Sequence, residues 1–419
     1  MNEPAAQRTG RRPAARAVWF DARGLQHGFK EHGGRGIGTY VGALAMALDA
    51  EAPPERVGFL VERGAELGQS VAPARLVLAP RALARGGRLA TQLHQHVQLA
   101  AWLALRRPAA VHFPAQTDAP AVLGVRSIIS VHDVVLHRHG SWYDGTGDTG
   151  SLRGRAARAR FRTMRLLERL AIAHASRIIV PSRVTAEELG GTLGVPRARI
   201  AIIPLAASGR FTPAAAPNDE AVRARLHLPE RYLLHTGGGD ARKRVPELIA
   251  VFDALAKDDR SLALVLVGPV ASGDGAAAVR RAIDAAAARQ RVIVAGVLAE
   301  ADLPAVYRGA AALVLATRHE GFGLPVVEAF ASGVPVVATA ADAVREVAGD
   351  AALLVPVDEV GALVSAVRRV LHERDLAASL RQAGLERAAQ FRWSLAAAET
   401  VAVYELSLIH ISEPTRLRR

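Results

Sequence analysis

Cysteine is absent from this sequence of 419 residues, which excludes disulfide bonds, thiolate nucleophiles and cysteine-ligated zinc. Long apolar runs are absent as well, since the stretch at residues 97–105 is far shorter than the ~18 residues that cross a bilayer. The N-terminal residues contain arginine and proline but no apolar signal segment, so we expect a disordered leader at residues 1–16 and no export. These absences predict a cytoplasmic protein.

Lysine is scarce: only Lys30, Lys243 and Lys257 stand among 53 basic residues, which exceed the 40 acidic residues and give a net charge of +13. Such an excess attracts phosphate groups of any kind, in nucleic acid, anionic lipid or a nucleotide-sugar. Abundant arginine and alanine are typical of a GC-rich genome, so the excess is weak evidence for a nucleic-acid surface. We therefore predict no nucleic-acid partner and give each lysine more weight than each arginine.

Short aliphatic runs alternate with helical patterns along most of the chain, which is typical of βαβ units. Seven strand candidates lie between residues 17 and 204, and six lie between residues 232 and 355. Their near-continuous apolar character predicts parallel strands covered on both faces. The expected fold class is α/β, with two facing, doubly wound, Rossmann-like domains and a ligand cleft where the carboxyl ends of the strands meet.

The predicted domains span residues 17–210 and 211–390, and a C-terminal helix at residues 391–405 is expected to pack back towards the first domain. The segment LSLIHISEPTR near the C-terminus resembles the translation of a sequencing adapter. We interpret residues 406–419 as an assembly artefact and exclude them from fold reasoning.

The stretch RHEGFGLPVVEAFASGVPVV, residues 318–337, places Glu320 and Glu328 on either side of a glycine-rich turn that follows a strand and opens a helix. Gly321 and Gly323 permit a ligand to approach the backbone closely. Free amides at the start of the helix would point at a diphosphate, and they belong to Phe322, Gly323 and Leu324. Glu328 can accept hydrogen bonds from vicinal hydroxyls, and Glu320 lies on the other side of the ligand.

A second glycine-rich loop, HTGGGDARKR, also follows a strand and includes Gly237. Arg242 offers a planar fork for two phosphate oxygens, and Lys243 offers a compact charge. Both side chains suit a diphosphate leaving group.

Two features of the first half belong to the same edge of the fold. The segment EHGGRGIGTY contains Gly33, Gly34 and Gly36 but does not spell G-x-G-x-x-G, because Thr39 stands where that spacing needs glycine, so a nicotinamide cofactor is disfavoured. The segment SVHDVV ends a strand in His132 and Asp133, where a neighbouring carboxylate can fix the tautomer of the imidazole. No Asp-x-Asp triplet or other metal-ligand spacing is present, so we predict no metal site.

These motifs resemble the retaining glycosyltransferase family 4, whose members have the GT-B architecture. The stretch at residues 318–337 is similar to the Glu-x7-Glu signature of that family, and the helix pattern ADLPAVYRGAA precedes it. Phe391, Trp393 and Tyr404 match the C-terminal pattern of the family. The segment at residues 242–244 is similar to the family's Arg-Lys-Asn, with Arg244 in place of asparagine.

The resemblance implies roles for these residues. It assigns catalysis to Glu320, His132, Arg242 and Lys243. It assigns donor binding to Glu328, Gly321, Phe322, Gly323, Leu324 and Gly237. It assigns the acceptor and phosphate loop to Gly33, Gly34, Gly36 and Asp133. It also implies a nucleotide diphosphate-sugar donor (GDP-mannose or a UDP-sugar), no cofactor, no metal, and a glycan or lipid-linked acceptor.

Two alternatives remain open at the level of sequence. One is another GT-B enzyme, such as a nucleotide-sugar epimerase or a phosphorylase. The other is a basic protein that binds nucleic acid or a lipid surface. The arginine-rich stretch at residues 152–170 could lie on an anionic membrane, at its cytoplasmic face, although a solvated arginine face over an ordinary core is the favoured interpretation.

Overall fold

The structure is a computed structural model that describes residues 17–26, 36–63, 71–80, 91, 93–121, 124–139, 152–271 and 275–409. Two of the predicted site residues, Gly33 and Gly34, lie outside the described residues.

The first half of the chain forms a seven-stranded parallel sheet in the order β3-β2-β1-β4-β5-β6-β7. Its strands are β1 (Val18–Asp21), β2 (Val57–Glu62), β3 (Leu76–Ala79), β4 (Ala110–Phe113), β5 (Ser127–Ser130), β6 (Arg177–Val180) and β7 (Ile200–Ile202). The helices around it are α1 (Gly36–Glu51), α2 (Ala100–Arg106) after a π turn (His94–Leu99), α3 (Val135–Arg138), α4 (Leu152–His174) and α5 (Arg183–Leu193).

The second half forms a six-stranded parallel sheet in the order β10-β9-β8-β11-β12-β13. Its strands are β8 (Tyr232–Thr236), β9 (Ala263–Val267), β10 (Val292–Gly296), β11 (Ala312–Leu315), β12 (Val336–Thr339) and β13 (Leu353–Val355). Its helices are α6 (Asp219–Arg225), α7 (Val245–Leu255), α8 (Ala276–Ala285), α9 (Leu303–Arg308), α10 (Leu324–Ala331), α11 (Asp342–Ala348), α12 (Ala362–His372) and α13 (Arg374–Ala388).

The aliphatic sequences of the strands account for their burial in both sheets. β4, β5, β9 and β11 are buried along their whole length, as expected for strands covered by helices on both faces. The predicted α/β class with two doubly wound parallel sheets is confirmed, and the seven and six predicted strands are present in the first and second sheets. Among the described residues, no helix is both long and apolar enough to cross a membrane.

The last helix, α14 (Trp393–Ile409), leaves the second half of the chain and packs against α1, β4 and β6 of the first sheet. It continues into the segment that we interpret as an artefact, where the Ser407 hydroxyl lies 2.9 Å from that of Ser176. The origin of residues 406–419 stays a prediction.

A chain of buried hydrogen bonds fastens α14 to the first sheet. The Tyr404 hydroxyl lies 2.7 Å from Nδ1 of His112, whose Nε2 lies 2.8 Å from the Ser130 hydroxyl, and Tyr40 lies 2.7 Å from the same hydroxyl. Burial lowers the pKa of the His112 imidazole to about 3, so the ring is neutral and needs a partner at each nitrogen.

We predict that Tyr404→Phe destabilises the protein by roughly 1–3 kcal/mol, because it leaves a buried nitrogen of His112 without a partner. Urea unfolding followed by circular dichroism measures the change. Leu395→Ala, at an exposed position of the same helix, is the control and should change the unfolding free energy by less than about 0.5 kcal/mol. An equal effect of the two substitutions would contradict the role of the hydroxyl.

Candidate functional site

The two halves of the chain meet at the glycine-rich turn between β11 and α10. A Cβ atom added to Gly321 would lie 1.8 Å from the carbonyl oxygen of His132, so the loop after β5 excludes every other residue type at this position. The contact continues at α5, where the backbone N–H groups of Arg183 and Val184 donate to the Glu346 carboxylate of α11 at 2.8 and 3.1 Å. The carboxyl edges of the two sheets are therefore joined around this turn.

A buried ion pair lies at the centre of the site. The Lys243 ammonium donates to Oε1 of Glu320, and both side chains are buried. Arg242 extends the cluster across the two halves, because its Nη1 lies 3.7 Å from Oε2 of Glu320 and 3.7 Å from Oδ2 of Asp133. Its Nε donates to Asp240 at 2.9 Å. Four predicted site residues are thus brought together.

The charge of Glu320 is set by its neighbours. Burial alone would raise the pKa of this carboxyl, but the charges of Lys243 and Arg242 outweigh burial and lower the pKa to about 2. Glu320 is therefore a permanent carboxylate at neutral pH, with its two oxygens directed to two cations.

The turn presents backbone N–H groups beside this cluster. Among the described residues, the N–H groups of Phe322 and Gly323 donate to no backbone carbonyl, and Leu324 begins α10, where N–H groups have no partner within the helix. Gly323 has a φ of 107°, a value that side chains with a Cβ rarely adopt. The turn thus offers donors to an anion, beside two cationic side chains.

Glu328 lies one helical turn further along α10 in a different environment. Its Oε2 accepts a hydrogen bond of 2.7 Å from the Tyr307 hydroxyl, which lies 2.9 Å from the Thr236 hydroxyl at the end of β8. Burial raises the pKa of the Glu328 carboxyl to about 7, against the opposing effect of Tyr307. Tyr307 and Thr236 were missed at the level of sequence, although Tyr307 lies in the helix pattern that precedes the signature.

The imidazole of His132 is held by the first half of the chain. Its Nε2 lies 2.8 Å from the Pro114 carbonyl oxygen, which can only accept, so Nε2 carries a proton. The ring also packs edge-to-face on Tyr40 with centroids 4.6 Å apart. Pro114 thus sets the tautomer, the role that the sequence assigned to a carboxylate. Asp133 instead accepts the Val135 N–H at 3.1 Å and faces Arg242.

Two further positions, Gly237 and Arg244, lie in the loop after β8 and have a positive φ. Gly237 has a φ of 154°, and a Cβ added there would lie 3.5 Å from both Lys243 Cε and Nε2 of His235. Arg244 has a φ of 53°, in the left-handed region where asparagine is tolerated better than most residues, and its guanidinium reaches Glu247 and the Val357 carbonyl. Arg244 therefore fixes the start of α7 and does not join the ion pair.

His235 is a buried residue of the site that the sequence did not single out. Its Nδ1 lies 3.3 Å from the Val314 carbonyl, and its Nε2 has no hydrogen-bond partner among the described residues. Burial, followed by the charge of Lys243, lowers the pKa of the imidazole to about 4. A neutral ring thus lies beneath the cationic loop.

Gly36 is the remaining predicted site residue among those that the structure describes. It is the first residue of α1, and a Cβ there would meet nothing within 4 Å.

Over the residues that the structure describes, no cluster of three or more His, Asp or Glu side chains is arranged to hold a metal ion. The prediction of no metal site remains to be tested in solution.

Comparison with known protein families decides the classification. The family model "Glycosyltransferase Family 4" matches residues 34–207, and the model "Glycosyl transferases group 1" matches residues 219–387. The chain belongs to the group 1, family 4 glycosyltransferases. The boundary between the two matches lies between β7 and α6, where the first sheet ends.

Similar proteins agree with this classification. The chain is 27% identical over 231 residues to the O-antigen chain mannosyltransferase B of Escherichia coli. The matched region covers 55% of this chain and 60% of that protein. It is 30% identical over 253 residues to a D-inositol 3-phosphate glycosyltransferase of Salinispora arenicola, which covers 57% of this chain and 56% of that protein. The matched part thus spans little more than half the length of these relatives.

Solved structures show that the fold is the GT-B fold. Sucrose-phosphate synthase from Thermosynechococcus elongatus superposes with a TM-score of 0.70 at 20% identity, over 95% of this chain and 100% of that chain. Anabaena HepE, in complex with UDP and glucose, superposes with a TM-score of 0.67 at 17% identity, over 93% and 99% of the two chains.

The raised pKa of Glu328 predicts a pH-dependent stability for this family 4 protein. Because the pKa in the folded state lies above the ordinary value of 4.5, the stabilisation is complete below about pH 4.5 and is lost as pH rises through 7. Glu328→Gln imitates the protonated carboxyl. We expect wild type to lose roughly 1–2 kcal/mol more than this variant between pH 5 and pH 8, which allows for partial exposure of the carboxyl.

Urea unfolding at pH 5, 6.5 and 8 measures this difference. Glu359→Gln, at an exposed position of the same half of the chain, should keep the wild-type pH profile. Parallel profiles for wild type and Glu328→Gln would show that Glu328 does not titrate in this range.

Proposed function

We propose that the protein is a retaining, metal-independent hexosyltransferase that moves a sugar from a nucleotide diphosphate donor to a glycan or lipid-linked acceptor. The observation that carries the proposal is the buried cluster of Lys243, Arg242 and Glu320 beside the open amides of the β11–α10 turn. Cations and helix amides in a site shielded from water are suited to stabilise a departing diphosphate.

The C-terminal half supplies the donor site. The diphosphate would lie against Arg242, Lys243 and the amides of residues 322–324, with the ribose hydroxyls at Glu328. Hydroxyl donors at Glu328 favour its ionised form and would lower the pKa that burial raises. Donor binding would therefore release a proton near neutral pH.

The chemical step would depend on separation of charge. As the diphosphate leaves, positive charge develops on the sugar ring. The Glu320 carboxylate lies beside the cations that would hold the diphosphate, and from there it would orient the sugar and support that charge. His132, placed by Pro114 and Tyr40, would contact the sugar from the acceptor side. The acceptor hydroxyl would attack on the face that the diphosphate leaves and pass its proton to the departing diphosphate oxygen, so no covalent enzyme intermediate is needed.

The identity of the donor is proposed from the relatives. Two of the relatives are named a mannosyltransferase and a D-inositol 3-phosphate glycosyltransferase, and HepE is described with UDP and glucose. GDP-mannose is our first choice of donor and a UDP-sugar the second, and the acceptor would carry hydroxyl groups of a glycan or a lipid-linked cyclitol.

Titration calorimetry with GDP, UDP and ADP tests the donor site directly. We expect wild type to bind one nucleoside diphosphate, and Lys243→Met to weaken that binding by about tenfold or more, because a charge-assisted hydrogen bond to phosphate is lost. Lys257→Met is the matched control, since Lys257 is exposed and stands outside the site. Failure of wild type to bind any of the three diphosphates would overturn the proposed function.

Sugar transfer tests the chemistry. We expect Glu320→Gln to lower transfer by roughly two to four orders of magnitude while the affinity for the diphosphate stays within a few-fold of wild type. EDTA should leave the wild-type rate unchanged, because protein cations and amides, and not a metal ion, would stabilise the departing diphosphate. Transfer from radiolabelled donor measures both effects, in samples whose thermal unfolding shows that they are folded. Dependence on added Mg²⁺ or Mn²⁺ would contradict metal independence.

A further inference from the structure

The N-terminal half of the chain contacts the turn between β11 and α10 at the Gly321 carbonyl group. The hydroxyls of Ser182 and Thr185 donate to the Gly321 carbonyl oxygen at 2.7 and 2.9 Å, across sequence separations of 139 and 136 residues. All three groups are buried. A carbonyl oxygen has two lone pairs, so it can accept both hydrogen bonds at once.

The position of the Gly321 carbonyl group also fixes the direction of the Phe322 N–H group. The Gly321–Phe322 peptide bond is trans, and in a planar trans peptide the C=O and N–H groups point in opposite directions. With the oxygen directed at α5, the Phe322 N–H points away from α5. That N–H has no backbone acceptor among the described residues. Two hydrogen bonds to the oxygen also polarise the peptide, which strengthens the N–H as a donor.

We propose that Ser182 and Thr185 are positioning residues, through which the N-terminal half directs and polarises the Phe322 N–H towards the donor diphosphate. This inference rests on the proposed function. The two hydroxyls contact neither sugar nor phosphate, and they act through the Gly321 peptide. The donor site is therefore complete only when the two halves of the chain are in contact.

Neighbouring contacts hold α5 in the required place. Ser182 is the N-cap of α5, since its oxygen accepts the Thr185 N–H at 3.0 Å. Glu346 accepts the first two N–H groups of the helix, and Nε2 of His319 lies 3.0 Å from the Glu188 carboxylate on the next turn. Opening of the cleft would break these contacts together with the hydrogen bonds to Gly321, so diphosphate binding and domain closure are reciprocally linked.

Thr185→Val tests the inference with little change of shape, because it removes the hydroxyl and keeps both the branched side chain and the N-cap bond to Ser182. We expect the affinity for the best-bound nucleoside diphosphate to fall about three- to tenfold, the loss typical of one hydrogen bond. Thr185→Ser restores a hydroxyl and should recover most of the affinity.

Thr400→Val is the matched control. Thr400 is as fully buried as Thr185, and its hydroxyl also donates to a backbone carbonyl, that of Ala396, but within α14. Both valine variants should lose similar unfolding free energy in urea, and only Thr185→Val should lose affinity in titration calorimetry. Unchanged affinity in Thr185→Val, or an equal loss in Thr400→Val, would overturn the inference alone. No diphosphate binding by wild type would overturn the proposed function and this inference with it.

Discussion

The site is arranged around the ion pair between Lys243 and Glu320. Both residues follow strands that are neighbours in the second sheet, β8 and β11, so their loops leave the same edge side by side. Burial of two charges costs several kcal/mol per ion, and well-packed apolar residues are often at least as stabilising in such a position. A pair of this kind is therefore poorly explained by stability alone. It places a fixed carboxylate and two cations where water has limited access, which suits a reaction that separates charge.

The Gly321 turn connects this cluster to the other half of the chain. The His132 carbonyl touches the turn on one side, and the hydroxyls of Ser182 and Thr185 hold it on another. The same turn thus belongs to the proposed donor site and to the contact between the two sheets. If one peptide group serves both purposes, as we propose, the geometry of the turn amides depends on whether the halves are in contact. This dependence would give a physical reason for two facing domains, in which one completes the binding site of the other.

The fold could be predicted from the sequence because buried parallel strands are continuous apolar runs, and the alternation of such runs with helices leaves few topologies. The grouping of Glu320, Lys243 and Arg242 at one edge of the sheet was predictable for a related reason: all three lie in loops that follow strands. The contacts that fix these side chains were not predictable from the sequence. Tyr307 reaches Glu328 from another helix, and Thr185 reaches Gly321 across 136 residues. Periodicity and local motifs contain no information about such pairs, which depend on how the elements pack.

The two glutamates of the signature stand eight positions apart and have opposite electrostatic environments. Two cations lower the pKa of Glu320 to about 2, whereas burial raises the pKa of Glu328 to about 7 against the opposing effect of the Tyr307 hydroxyl. Divergent pKa values in a pair of carboxyls commonly mark a division of roles. In the proposed mechanism, the permanent charge of Glu320 would support the positive charge that develops on the sugar. Hydroxyl donors of a bound ligand would favour the ionised form of Glu328, which would couple its ionisation to binding. The same residue type can thus serve the reaction at one position and binding at the other, because the neighbouring side chains differ.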